Sequence, residues 1–578
     1  MKKERLKKLI EVAAGRVRAE LVIKNCRIVD VYNGEIAEGD IAVCDGVIAG
    51  IGTYQGMEEV DAKGAYAVPG FIDGHIHIES SYVTPEELGR LCVPHGTSTI
   101  IADPHEIVNV CGMEGLEYMV QAAKNSPMDI RFMIPSCVPA TPFESSGAVV
   151  EGEQMKNPMR LEEVLGLGEF MDFPGVVHAD DKVLDKLLVA KDCGKLIDGH
   201  SPGVSGLELN AYIAAGIQTD HECASAEDLK ERTSRGMYVL LRQGSACHDL
   251  RNLLKGVNAY NSRRCVLCSD DRQPKTILSE GHLDMHLRIC IEEGVDAITA
   301  IRMATLNAAE CFRLYDRGAI APGKKADIVL LEDLSGFRVK RVWLDGKECA
   351  KDGKYIGEVQ KTEIPERLKS SFHVKDFSEE RLKLRLKSDK VHVIDVLPGG
   401  VVTGNETVVV KRDKDGCFCY EPESGIAKAA VIERHHNTGN MAVALLRNYG
   451  IKEGAVAISV AHDSHNIITA GVNDKDIVLA VETLIGQGGG IVLAKDGVVL
   501  ETVPLVIGGI MSDQSGEWVK EKLEKIHETA YRELGICEGV EPIMTLCFMS
   551  LPVIPELKLT DKGLFDVKQF KFIPLECE

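Results

Sequence analysis

A chain of 578 residues is too long for one hydrophobic core and implies two or three domains. Its 45% hydrophobic and 27% charged content is that of a globular protein, which excludes collagen-like and disordered chains. The formal net charge of −21, with no Lys/Arg stripe to relieve it, excludes a nucleic-acid polymer as partner and favours a small substrate that is not strongly anionic.

The N-terminal stretch MKKERLKKLIEVAAGRVRAE is basic but lacks the apolar centre of a signal peptide, and it reads as an amphipathic surface helix. No run reaches the ~18 apolar residues of a membrane span. Eighteen cysteines scattered without a leader read as reduced thiols of a cytoplasmic protein.

Residues 20–68 hold short β-like runs with turns at Asn33-Gly34 and Asp45-Gly46. A similar stretch returns at 318–348, with a turn at Asp345-Gly346. Two β pieces flanking a long insert predict one discontinuous β-sandwich domain, 1–68 plus 318–363.

Residues 69–317 span about 250 residues, the usual size of a (β/α)8 barrel. Eight apolar runs end in polar residues: Ala67–Glu79, Thr97–His105, Ile130–Thr141, Val164–Asp172, Leu196–Ser201, Ile217–Glu222, Met237–Ser245 and Cys265–Asp271. Helical stretches lie between them, such as 180–194 and 225–236, with period-3.6 apolar spacing and a closing glycine. Strand–helix alternation of this kind predicts a parallel α/β fold. From 364 to 578 the pattern changes to hairpins and two long helices, a separate C-terminal α/β domain.

Functional side chains of a barrel come from the C-terminal ends of its strands. Those ends offer His75 and His77 on run 1, Glu169 on run 4, His200 on run 5, His221 on run 6, and Asp270 with Asp271 on run 8. In the HxH triplet, residues i and i+2 share one strand face and project together. Four imidazoles and two carboxylates suit two divalent ions, which lower the pKa of a shared water. Asp270 would then take its proton.

The opening strand AVPGFIDGHIHIE (67–79) resembles that of the amidohydrolase superfamily. Within it, dihydroorotase and hydantoinase types place a carboxylated lysine on strand 4. Here VLGLGEFMDFPGV (164–176) has no lysine and Glu169 takes the position. With DPHEIVNVCG (103–112), GHSPGVSG (199–206), DHECASAEDLKERTSRGMYVLLRQGSA (220–246) and SDDRQP (269–274), the chain closely resembles the bacterial and archaeal adenine deaminases over essentially its whole length.

That resemblance implies hydrolysis of adenine to hypoxanthine and ammonia by a metal-activated hydroxide, and a role in purine salvage. It implies a metal set of His75, His77, Glu169, His200, His221 and Asp270, holding manganese or iron, with zinc possible. Asp270 would also shuttle protons. Glu106 is a second acid, or else a helix-start carboxylate beside a dipole. His105, Arg242, Gln243 and Asp271 could bind the purine, and Arg242 and Gln243 could equally orient loops. A homo-oligomer, dimer or higher, is expected.

The H-x-E and P-C-x-x-C signature of single-zinc cytidine deaminases is dismissed. His77-Ile78-Glu79 is present, but Arg264 precedes Cys265, and Cys265 and Cys268 face opposite sides of one strand. Other readings are a hydrolase of cyclic amides or of a different aminopurine, and a scaffold that has lost its metals. In the last domain, Arg434-His435-His436-Asn437 and Ala461-His462-Asp463-Ser464-His465-Asn466 are expected to face the barrel mouth and help close it, or else to be loop residues or a second metal site.

Overall fold

The computed structural model describes residues 3–369, 371–397, 399 and 401–577. The N-terminal stretch is a helix, Lys3–Ala13, whose Val12 is buried against the first sheet. That sheet has nine strands, drawn both from 19–69 and from 328–355; Tyr66–Pro69 pairs with Ala19–Asp30 on one side and with Ile328–Leu331 on the other. Its hairpin at Asp45-Gly46 has both residues at positive φ, 50° and 75°, the mirror-image turn that suits the right-handed twist of paired strands.

The next eight strands all run parallel. Phe71–His77, Thr97–Ala102, Asp129–Ile134, Val164–Phe170 and Leu196–Gly199 pair in sequence order, as do Thr219–Asp220, Tyr238–Arg242 and Cys265–Cys268. The ring closes at both seams. Asp270 pairs with Ile76 and Asp271 with His77, and the Gln218 N–H donates to the Ile197 carbonyl at 3.0 Å. This is the (β/α)8 barrel the alternating pattern predicts. The third strand stops at Ile134, short of Thr141, and His221 lies just past the sixth.

The barrel interior is filled by Ile72, Ile101, Met133, Leu240, Val266 and Cys268, and its floor is plugged by the helix Leu306–Cys311. Gly74 of the first strand is required by this packing, because a Cβ there would stand 2.7 Å from Val266 Cγ1. Cys265 packs outside the barrel and Cys268 inside, so the pair shares no face. No disulfide occurs among the described residues, and no described helix is long and apolar enough to cross a membrane.

The last part of the chain forms an eight-stranded sheet, antiparallel except where Lys390–Val396 meets Met441–Arg447. The helix Asp474–Gly486 covers one face. The glycines after it stop the helix, with Gly488, Gly489 and Gly490 all at positive φ. The sheet is anchored to the barrel by polar contacts. The Gly516 N–H donates to Glu87 at 2.7 Å, Asn466 Nδ2 to the Ser145 carbonyl at 2.7 Å, and the Ser145 N–H to Asp561 at 2.8 Å.

Candidate metal centre and cavity

All six predicted ligands meet at the C-terminal mouth of the barrel. His75 and His77 point together, with Nε2 atoms 3.2 Å apart. His77 Nε2 lies 3.1 Å from Asp270 Oδ1. Glu169 stands between two groups of imidazoles. Its Oε1 is 3.0 Å from His105 Nδ1 and 3.6 Å from His77 Nε2; its Oε2 is 2.9 Å from His200 Nδ1 and 3.1 Å from His221 Nε2. Ligand atoms of His75, His77 and Asp270 fall within 4.8 Å of one another, as do those of His75, Glu169 and His221.

Supporting groups aim these side chains. His75 Nδ1 donates to Asp198 at 3.2 Å and His77 Nδ1 to the Asp103 carbonyl at 2.9 Å, which fixes each Nε2 inward. Asp103 Oδ2 accepts from the Glu169 N–H at 2.9 Å. The close approach depends on Gly168, where a Cβ would come within 2.1 Å of that oxygen. Asp270 sits at φ 58°, a left-handed conformation uncommon outside glycine, held where its strand pairs with the first.

The donor set passes a chemical test for divalent metal. Buried imidazole nitrogens facing one another across 3.2 Å have no hydrogen to share once their other nitrogens donate outward, and a cation between them and the carboxylates resolves the conflict. Burial opposes ionisation of Glu169, yet the hydrogen bonds of His105, His200 and His221 hold its carboxyl well below the usual range. Burial likewise opposes Asp270, which the His77 hydrogen bond and the Arg242 charge hold low.

Over this centre lies a cavity of about 340 Å³. His105, Glu106, Arg242 and Asp271 line it, whereas Gln243 does not; its amide pairs instead with His248 at 2.9 Å. Arg242 has its guanidinium taken up by Glu222, Asp249 and Asp270, the last at 3.0 Å. It is committed to carboxylates already. Glu222 lines the cavity and joins His200 and His221 in a further ligand-like group. Sequence reasoning left Glu222 out, although it directly follows a predicted ligand.

The opposite wall comes from the C-terminal region: Val401, Phe548, Leu551, Ile554 and Pro555, with His462 and Asp463 at its edge. His462 stacks on Phe548 with ring centroids 4.9 Å apart and donates to Glu106 at 2.5 Å; His465 also hydrogen-bonds Glu106. Burial pulls the His462 imidazole down, but Glu106 beside it lifts it to about 9. The other cluster stands one layer back. His435 Nε2 donates to the Ser464 carbonyl at 2.7 Å and Arg434 Nε to that of His465, so they brace the loop rather than line the cavity. His436 donates to the Ser146 carbonyl at 2.8 Å.

The Amidohydrolase family model matches residues 66–349, and the Adenine deaminase C-terminal domain model matches residues 400–571. The chain is 62% identical to adenine deaminase 2 of Desulfotalea psychrophila, over 100% of both chains. The chain belongs to the adenine deaminase family. It is also 54% identical to the adenine deaminase of Ligilactobacillus salivarius over 100% of both chains, and 48% identical to that of Nitratidesulfovibrio vulgaris over 98% of both. These family members match at full length, so the third region with its cavity wall is part of the family's plan as much as the barrel is.

Proposed function

We propose that this chain hydrolyses adenine to hypoxanthine and ammonia in the cavity between barrel and C-terminal region. The observation that carries the reading is Glu169: its two oxygens serve two different imidazole sets, as a bridging carboxylate must, in a chain full-length similar to adenine deaminases. His75, His77, Glu169, His200, His221 and Asp270 would hold two divalent ions, manganese or iron with zinc possible, which supply Lewis acidity and a water acidic enough to ionise near neutral pH.

The chain's own groups account for the rest. Asp270 is ionised and pinned by Arg242, so its carboxylate is oriented to accept a proton from the attacking water and return it to the purine. Glu106, fixed by His462, is a second acid–base group at the cavity edge. Asp271 and His105 line the volume where the base would lie. The apolar wall excludes bulk water, which strengthens each polar contact inside. We assign Arg242 to orienting Asp270 and Glu222.

The reading takes 1–68 plus 318–363 as a discontinuous β domain, 69–317 as the catalytic barrel and 364–578 as the domain that closes it. It places the enzyme in the cytoplasm, in purine salvage, as a homo-oligomer. The test is ammonia release from adenine, adenosine and guanine, and ring opening of hydantoins to the carbamoyl acid, by apoprotein refilled with manganese, iron or zinc. Adenine should be the preferred substrate; ammonia from guanine or ring opening of a hydantoin, with no turnover of adenine, would overturn the proposal.

A further inference from the structure

Tyr212 lies outside the barrel, on the helix Gly206–Ala214, where Leu209 and Tyr212, three residues apart, form the buried face. Its side chain is fully enclosed, and its hydroxyl spans two strand ends. It donates to the Phe170 carbonyl at 2.7 Å and accepts the His200 N–H at 2.9 Å. Phe170 directly follows Glu169, and His200 is itself a proposed ligand. One phenol oxygen therefore ties the end of the fourth strand to the end of the fifth. It does so at the pair whose side chains meet as Glu169 Oε2 and His200 Nδ1, 2.9 Å apart.

The ligands are not all aimed in the same way. His75 and His77 each have an outer ring nitrogen held by Asp198 or the Asp103 carbonyl. His200 is the most exposed of the six, with 20% of its side chain open, and its Nε2 has no hydrogen-bond partner among the described residues. Its imidazole is placed from the main chain, through the N–H that Tyr212 holds. At Glu169 the main chain is held at three points: its N–H by Asp103 at 2.9 Å, its carbonyl by the Ser136 hydroxyl at 2.5 Å, and the next carbonyl by Tyr212. Of these three supports, Tyr212 is the one that also holds His200. A buried N–H or C=O that loses its partner is costly, so the strand ends would shift to find another.

We propose that Tyr212 is a positioning residue for the metal centre: its hydroxyl sets the spacing between Glu169 and His200, and so their hold on a metal ion. No ionised group is required, since a neutral phenol both donates and accepts. This role rests on the metal centre proposed above, and not on adenine as the substrate.

The test is Tyr212→Phe, which removes one oxygen and keeps the ring that packs the helix. Its control is Tyr449→Phe in the C-terminal region, which loses an equally buried phenol, bonded to the Pro542 carbonyl at 2.6 Å and outside the cavity lining. Wild type and both variants are filled with cobalt. The visible absorption of the bound metal, its rate of release to a chelator, and kcat and KM for adenine are then compared. Tyr212→Phe should change the absorption, release at least one metal ~10–100-fold faster and lower kcat by a similar factor, with KM little changed. Tyr449→Phe should match wild type in all three, although both variants lose a buried hydrogen bond and should melt lower. A Tyr212→Phe protein that melts lower but keeps wild-type absorption and metal release would make the hydroxyl purely structural and overturn the positioning role. Equal changes in the two variants would do the same. A wild-type protein that bound no cobalt would remove the metal centre and the role of Tyr212 with it. Faster metal release from Tyr212→Phe, with no adenine turnover even in wild type, would leave that role standing and remove the proposed reaction instead.

Discussion

The two walls of the cavity are built on opposite principles. The barrel wall is almost wholly ionic, with imidazoles and carboxylates on strand ends, each aimed by another polar group. The C-terminal wall is mainly apolar, presenting Val401, Phe548, Leu551, Ile554 and Pro555. A charged site open to water would be screened, and an apolar pocket without it would have no chemistry. The contrast assigns reactivity to one region and enclosure to the other, and each can be attacked separately.

The largest effect should come from stripping the ionic wall of metal. Chelation should reduce adenine turnover by at least ~10³-fold, since a metal supplies several kcal/mol to such a transition state at 1.36 kcal/mol per decade. Refilling should restore it, as followed by ammonia release. Substituting Arg242 by Met comes next. It leaves Glu222, Asp249 and Asp270 facing one another without their cation, and breaking a buried ion pair typically costs ~3–5 kcal/mol. We expect kcat to fall ~100-fold, in line with a misplaced Asp270. If kcat held while KM alone rose, Arg242 would be a purine-binding residue after all.

Attacks on the apolar wall should read out differently. Phe548→Ala removes an aromatic face that stacks on His462, and should raise KM for adenine ~10-fold while leaving two metals per chain. A loss of metal in that variant would show that the two walls are not separable. AMP should not be turned over, because among the described residues lining the cavity there is no lysine, the one arginine, Arg242, is committed to carboxylates, and His462 is paired with Glu106.

The smallest effect concerns Lys558, fully buried in the C-terminal region, where it donates to the carbonyls of Val401 at 2.7 Å and Phe548 at 2.9 Å, tying two segments of the apolar wall together. Burial lowers it to about 7. The unfolded chain, with an ordinary lysine near ~10.4, binds that proton more tightly. Protonation therefore favours unfolding, fully below pH 7 and not at all above ~10.4, so stability contributed here rises with pH through that window. Lys558→Met should flatten the rise in melting temperature between pH 7 and 9; an unchanged slope would assign the pH dependence elsewhere.

The same contrast explains what the sequence made legible. The proposed metal ligands are rare residue types at positions dictated by strand period, so His75, His77, Glu169, His200, His221 and Asp270 stand out from an apolar background. Eight strand–helix alternations with glycine stops were equally visible. The groups that aim the ligands were not, since Asp103 and Asp198 become supports only once the ring closes. Nor was the apolar wall, because Phe548 and Leu551 look like any core residue until their partner across the cavity is known. The histidine cluster at 462–465 was legible as unusual, and its contact with Glu106 gives the reason. Gln243, expected at the end of the seventh strand either to bind the purine or to orient loops, pairs with His248.

The central claim is that Glu169 bridges the metal centre, and paired substitutions with metal analysis test it most directly. Glu169→Ala should lose at least one of two metals per chain and most adenine turnover with the fold intact. Glu163→Ala, changed in the turn before the same strand, where its carboxylate is only 3.9 Å from the exposed Lys124, should keep both. A Glu169→Ala protein that retained two metals and near-normal turnover would contradict the account.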